Sequence, residues 1–74
     1  MTTLDELKPG QIATIVDVNG SDAVSTRLLE MGLIEGTEIA FVGKAPLGDP
    51  IEYEVCGYRI SLRSSEAQRV QISL

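Results

Sequence analysis

The sequence predicts a small, mostly antiparallel β-barrel of about five strands, with one short α-helix after the first strand. Three observations carry this expectation. Apolar residues alternate with polar ones over several short runs, the period of a strand with one buried face. Glycine- and proline-bearing turn signals separate these runs. A single stretch, ending at Met31, has apolar residues at helical spacing and is followed directly by Gly32.

Taken in order, Thr3 to Glu6 has the Thr-x-x-Glu spacing of a capping box, and Pro9 limits any helix begun there to one turn. Leu4 and Leu7 are then placed to plug the end of the barrel. Lys8-Pro9-Gly10-Gln11 has proline second and glycine third, the signature of a type II turn. Gln11 to Val18 reads as the first strand, with Ile12, Thr14, Val16 and Val18 on one face and Ala13, Ile15 and Asp17 on the other. Asn19-Gly20 breaks it. Ser21 or Asp22 then caps a helix by accepting hydrogen bonds from its free first-turn amides. Along that helix Val24, Leu28 and Met31 share one face at spacings of four and three. Arg27 and Glu30 are spaced to pair beside the exposed face, for only about 0.2–0.5 kcal/mol.

Gly32 stands where the helix end wants a left-handed residue, and Leu33 where a Schellman cap presses it back onto Leu28. Ile34-Glu35-Gly36-Thr37 repeats the glycine placement of the first turn. Thr37 to Val42, rich in β-branched and aromatic residues, is the second strand. Gly43 to Pro50 is not expected to continue it: Gly43, Pro46, Gly48 and Pro50 interrupt the pattern, and Ala45 and Asp49 precede prolines and are pushed towards extended conformations. Ile51, Tyr53 and Val55 alternate with Glu52, Glu54 and Cys56 in a third strand. Cys56-Gly57 supplies a short hairpin turn. Ile60 and Leu62 alternate with Arg59, Ser61 and Arg63 in a fourth. Ser64 to Gln68 reads as a polar link with room for one 3₁₀ turn, and Val70, Ile72 and Leu74 mark the last strand. No linker, repeat or charge run divides the chain, so residues 1–74 read as one domain.

Composition excludes several classes of function. The chain has 74 residues, 43% of them apolar. That is enough for one core but leaves no enzyme-sized cleft between domains. The net charge of −5 disfavours a nucleic-acid groove, which needs a basic footprint, and docking on an anionic membrane surface. No apolar run approaches the length of a membrane-spanning helix. The first residues lack the basic and apolar regions of a secretion signal. One cysteine forms no internal disulfide, which fits a reducing compartment, and the expected location is the cytoplasm.

The chain has no histidine, which removes the commonest general base and transition-metal ligand and rules out Ser-His and Cys-His pairs within one chain. Cys56 reads as a small, half-buried strand residue in preference to a reactive thiol. Glu52 and Glu54 fall on the outward face of their strand, and Asp17, Asp22 and Glu35 at turns or caps. No spacing forces two carboxylates together, so no metal ligands and no cofactor are expected. The glycines of the Gly43–Pro50 segment form no phosphate cradle, having neither Gly-Lys-Ser/Thr nor a following helix. Enzymatic activity is therefore not expected.

The ordered pattern Arg27-Leu28-x-x-Met31-Gly32-Leu33-x-x-Gly36, then a β-run, then Pro46-Leu47-Gly48-Asp49-Pro50, resembles the FeoA domain of ferrous iron transport protein A. The resemblance continues through Val55-Cys56-Gly57-Tyr58, Ile60 to Arg63, Glu66-Ala67 and the last strand, and it covers nearly the whole chain from Leu4. It implies an SH3-like barrel. It also implies a small cytoplasmic accessory of ferrous iron uptake that acts by binding FeoB, a membrane permease with a cytosolic GTPase domain, without itself inserting into the membrane. Two alternatives stand beside this reading. One is a regulatory module like the SH3-like C-terminal part of iron-dependent repressors. The other is a weak iron-binding chaperone.

The expected docking surface lies between the C-terminal end of the helix and the Pro46–Pro50 loop. Leu33 and Leu47 would be its apolar anchors, with Met31 beside them, Arg27 at the rim and Pro50 closing the loop. The prolines restrict the loop before binding, which lowers the entropic cost of docking. The competing expectation is that Met31, Leu33 and Leu47 simply seal the barrel end.

Overall fold

The computed structural model describes residues 2–74. The elements in chain order are β1 (Thr2–Thr3), a 3₁₀ turn (Leu4–Glu6), β2 (Ile12–Val18), α1 (Ala23–Glu30), β3 (Glu38–Lys44), β4 (Ile51–Val55), β5 (Tyr58–Leu62), α2 (Ser64–Ala67) and β6 (Val70–Ser73). The strands form one antiparallel sheet in the order β1-β6-β2-β3-β4-β5. The sheet curls on itself: Tyr53 of β4 donates its hydroxyl to the carbonyl of Leu4, just after β1, at 3.1 Å. β1 and β5 remain edges, so the barrel is open along that seam.

The inward faces follow the alternation of the sequence. Ala13 and Ile15 of β2, Ile39 of β3, Ile51, Tyr53 and Val55 of β4, and Ile60 and Leu62 of β5 are all buried. Burying each large apolar side chain contributes about 1.5–3 kcal/mol. Leu4 and Leu7 plug the end, as their spacing predicts, while Glu6 accepts the Thr3 amide at 2.8 Å and holds the 3₁₀ turn. The Tyr53 phenol is pushed well above its ordinary pKa by burial, with the Asp5 charge adding to the effect.

Both predicted turns form around a positive-φ glycine. Gln11 N–H reaches Lys8 O at 3.1 Å with Gly10 at φ +84°, and Thr37 N–H reaches Ile34 O at 3.0 Å with Gly36 at φ +89°. Four local expectations need correction. β1 was not anticipated, because a two-residue strand has no readable period; it pairs Thr2 with Ile72 and Thr3 with Gln71. β3 continues past Val42 to Lys44, because an irregularity between Phe41 and Gly43 absorbs the extra residue. The Ser64–Gln68 link is a turn of α-helix. Cys56 is exposed, at φ +53° in the β4–β5 turn and outside either strand; with Gly57 at φ +82° it gives the two positive dihedrals that a tight two-residue hairpin requires.

Candidate functional site

Asp22 is the N-cap of α1, accepting the Ser25 amide at 3.1 Å. Its carboxylate also takes Arg69 Nη1 at 2.7 Å, and these two bonds, the arginine first, hold its pKa down at about 2. At the other end the Schellman bonds form as the sequence predicts: Leu33 N–H to Leu28 O at 3.2 Å and Gly32 N–H to Leu29 O at 3.0 Å. Gly32 sits at φ +101°, and a Cβ there would meet the Tyr58 hydroxyl at 2.5 Å. That hydroxyl donates to the carbonyl of Met31. Glycine is thus required twice, for the left-handed backbone and for the approach of Tyr58.

A second assembly lies beyond α1 and rests on α2. Arg27 forms an ion pair with Glu66 of α2, not with Glu30 as its spacing suggested. Glu66 uses its other oxygen to accept the Arg63 amide at 2.8 Å, fixing the start of α2. Asp49, from the loop between β3 and β4, accepts the Ser64 amide at 2.7 Å, and its second oxygen lies 3.8 Å from Arg63. Arg27, α2 and the loop are therefore linked in one polar chain. Across the loop, Ala45 N–H bonds Pro50 O at 3.0 Å and Gly48 N–H bonds Ala45 O at 2.8 Å. The resulting turn presents Leu47 at its tip, 97% exposed.

Burial divides the residues expected to form one docking surface. Leu33 is fully buried in the core, because the Schellman cap folds it onto Leu28; it is not an exposed anchor. Met31 is half-buried and packs against that core. Met31 accepts the Tyr58 hydroxyl on its carbonyl at the β4–β5 turn, whereas the Ala45–Pro50 loop enters β4 at its opposite end. A five-residue strand separates its ends by about 13 Å. Arg27 is exposed but already paired, and Pro50 is exposed beside Asp49. What remains is an exposed leucine on a loop tied to α2. The expectation missed the tie, because Asp49 and Ser64 stand 15 positions apart and leave no local pattern. It also missed the exposure of Ile12, Leu29, Ile34 and Tyr58.

Among the described residues no three or more Cys, Asp or Glu side chains converge as a metal centre, and no helix is long and apolar enough to cross a membrane.

Comparisons with known proteins place this architecture. The FeoA domain family model matches residues 2–74. A fusion of Fe(2+) transport protein A and the Fe(2+) transporter FeoB from Porphyromonas gingivalis is 41% identical over 71 residues, which are 96% of this chain and 8% of the fusion. The chain thus spans under a tenth of that relative. A putative Fe(2+) transport protein A from Campylobacter jejuni is 33% identical over 72 residues, 97% of each chain. Among solved structures, the zinc complex of Stenotrophomonas maltophilia FeoA, described as an SH3 domain protein, superposes with a TM-score of 0.87 at 36% identity, covering 99% of this chain and 91% of that one. An open SH3-like barrel with the helix after its first long strand, matched over residues 2–74, makes this chain a member of the FeoA domain family.

Proposed function

We propose that this chain is a non-enzymatic interaction module of ferrous iron uptake that docks on a FeoB-type membrane transporter or on its GTPase domain, from the cytoplasmic side. The observation that carries this reading is the Porphyromonas gingivalis fusion, in which a homologous domain and a FeoB transporter share one polypeptide. Covalent joining holds such a domain near the transporter at high effective concentration, and specific docking there also needs an adhesive surface. The Ala45–Pro50 loop fits that need. Its turn is closed by backbone hydrogen bonds and anchored to α2 through Asp49, so Leu47 is presented with little left to order on binding. Iron(II) is the transporter's cargo on this reading, and the domain neither carries it nor hydrolyses nucleotide.

Affinity capture tests the proposal. The tagged chain is expected to retain the FeoB-type transporter of its source cell from detergent-solubilised membranes. Recovery of no transporter under conditions where the folded chain is intact would refute it.

A further inference from the structure

The outer face of the sheet carries a groove remote from the α2 assembly. It holds about 420 Å³ and is lined by Ile12 of β2, Glu38 and Ala40 of β3, Glu54 of β4 and the Cys56-Gly57 turn. Strand register builds it. Ile12 lies opposite Ala40, and Ala40 lies opposite Glu54, so the three form a row across the sheet. Glu38 is two residues from Ala40 and shares its face. The floor is apolar and uncovered: Ile12 is 62% exposed, and Ala40 beside it is too small to shield it. The rim is acidic. Asp22, Asp49 and Glu66 each have an arginine partner, whereas Glu38 and Glu54 have no ion-pair partner among the described residues. Arg59 of β5 lies directly opposite Glu54 on the same face and is exposed, but it forms no ion pair with it.

We propose that this groove binds a lysine- or arginine-bearing segment of a partner protein, with one apolar side chain seated on Ile12 and Ala40 and basic side chains reaching Glu38 and Glu54. Two carboxylates flanking an apolar floor match an amphipathic cation, and the net charge of −5 draws such a segment in from a distance. A second copy of this chain is a poor occupant, because it brings the same negative charge. Nucleic acid and anionic lipid are repelled for the same reason. The groove is separate from the Leu47 loop, and the proposal stands whether or not the transporter is the partner.

The test uses the full chain, isotopically labelled, and two synthetic peptides: an alternating lysine–leucine hexapeptide and its glutamate–leucine counterpart. Amide resonances of Ile12, Glu38, Ala40 and Glu54 are expected to shift with the lysine peptide and not with the glutamate peptide, and less at higher salt. The double variant E38Q/E54Q is expected to weaken binding about five- to tenfold, the effect of losing two exposed charge pairs, with its melting temperature unchanged. No shift at millimolar lysine peptide, equal shifts with both peptides, shifts confined to another face, or undiminished binding by E38Q/E54Q would each overturn the proposal.

Discussion

The two ends of β4 are built by different means. At the β4–β5 turn the chain meets the Gly32–Leu33 segment, which is held by the Schellman bonds, by the Tyr58 hydroxyl on Met31 and by the complete burial of Leu33. At the other end the Ala45–Pro50 loop buries no large apolar side chain of its own. It is held by backbone turn bonds and by Asp49 on the Ser64 amide. The first end is part of the core and its residues are spent on stability. The second is fixed in place by polar ties, which leaves an apolar side chain available to a partner. A conspicuous motif can therefore join a buried residue and an exposed one, and burial, not proximity in sequence, separates them.

This contrast orders the expected effects of substitution. Leu33→Ala removes a fully buried leucine and is expected to cost about 2–5 kcal/mol in denaturant unfolding; a loss well under 1 kcal/mol would mean that Leu33 is not a core residue. Gly32→Ala is expected to cost about 1–3 kcal/mol, because φ +101° strains any side chain and the new methyl displaces Tyr58. Asp49→Ala removes the cap on a short helix together with an exposed ion pair to Arg63, and about 1 kcal/mol is expected. The loss should be accompanied by faster amide exchange at Ser64, and an unchanged exchange rate would show that Asp49 does not secure the loop.

A smaller effect depends on pH. The Asp22 carboxyl titrates at about 2 in the folded chain against an ordinary value of 3.8. A depressed folded pKa stabilises above the unfolded value and ceases to do so as pH falls through the folded one. Melting temperatures of the parent and of Asp22→Asn should therefore differ above about pH 4 and converge towards pH 2. A difference that persists unchanged at pH 2 would show that the charge on Asp22 is not its cause.

Much of this was legible in the sequence because it is local. The Gly32 cap, the two turns with glycine third and the alternation of β4 each depend on residues within a few positions of one another. The pairing of β1 with β6 and the tie from Asp49 to Ser64 join positions whose separation leaves no periodic trace. Leu33 was legible as a cap residue, but the choice between core and surface depended on how α1 packs against the strands. Arg27 illustrates the same limit: Glu30 is near in sequence, yet Glu66 is the partner that folding brings to it.

The central claim, that the Leu47 end of β4 serves binding while the Leu33 end serves stability, is tested most directly by Leu47→Asp. At 97% exposure the change removes almost no buried surface, so an effect on stability within about 0.5 kcal/mol is expected. The measurement is transporter capture by Leu47→Asp alongside its melting temperature. Lost capture with an unaltered melting temperature is the predicted result. Full capture by the stable variant, or a large fall in melting temperature, would contradict the division of labour between the two ends.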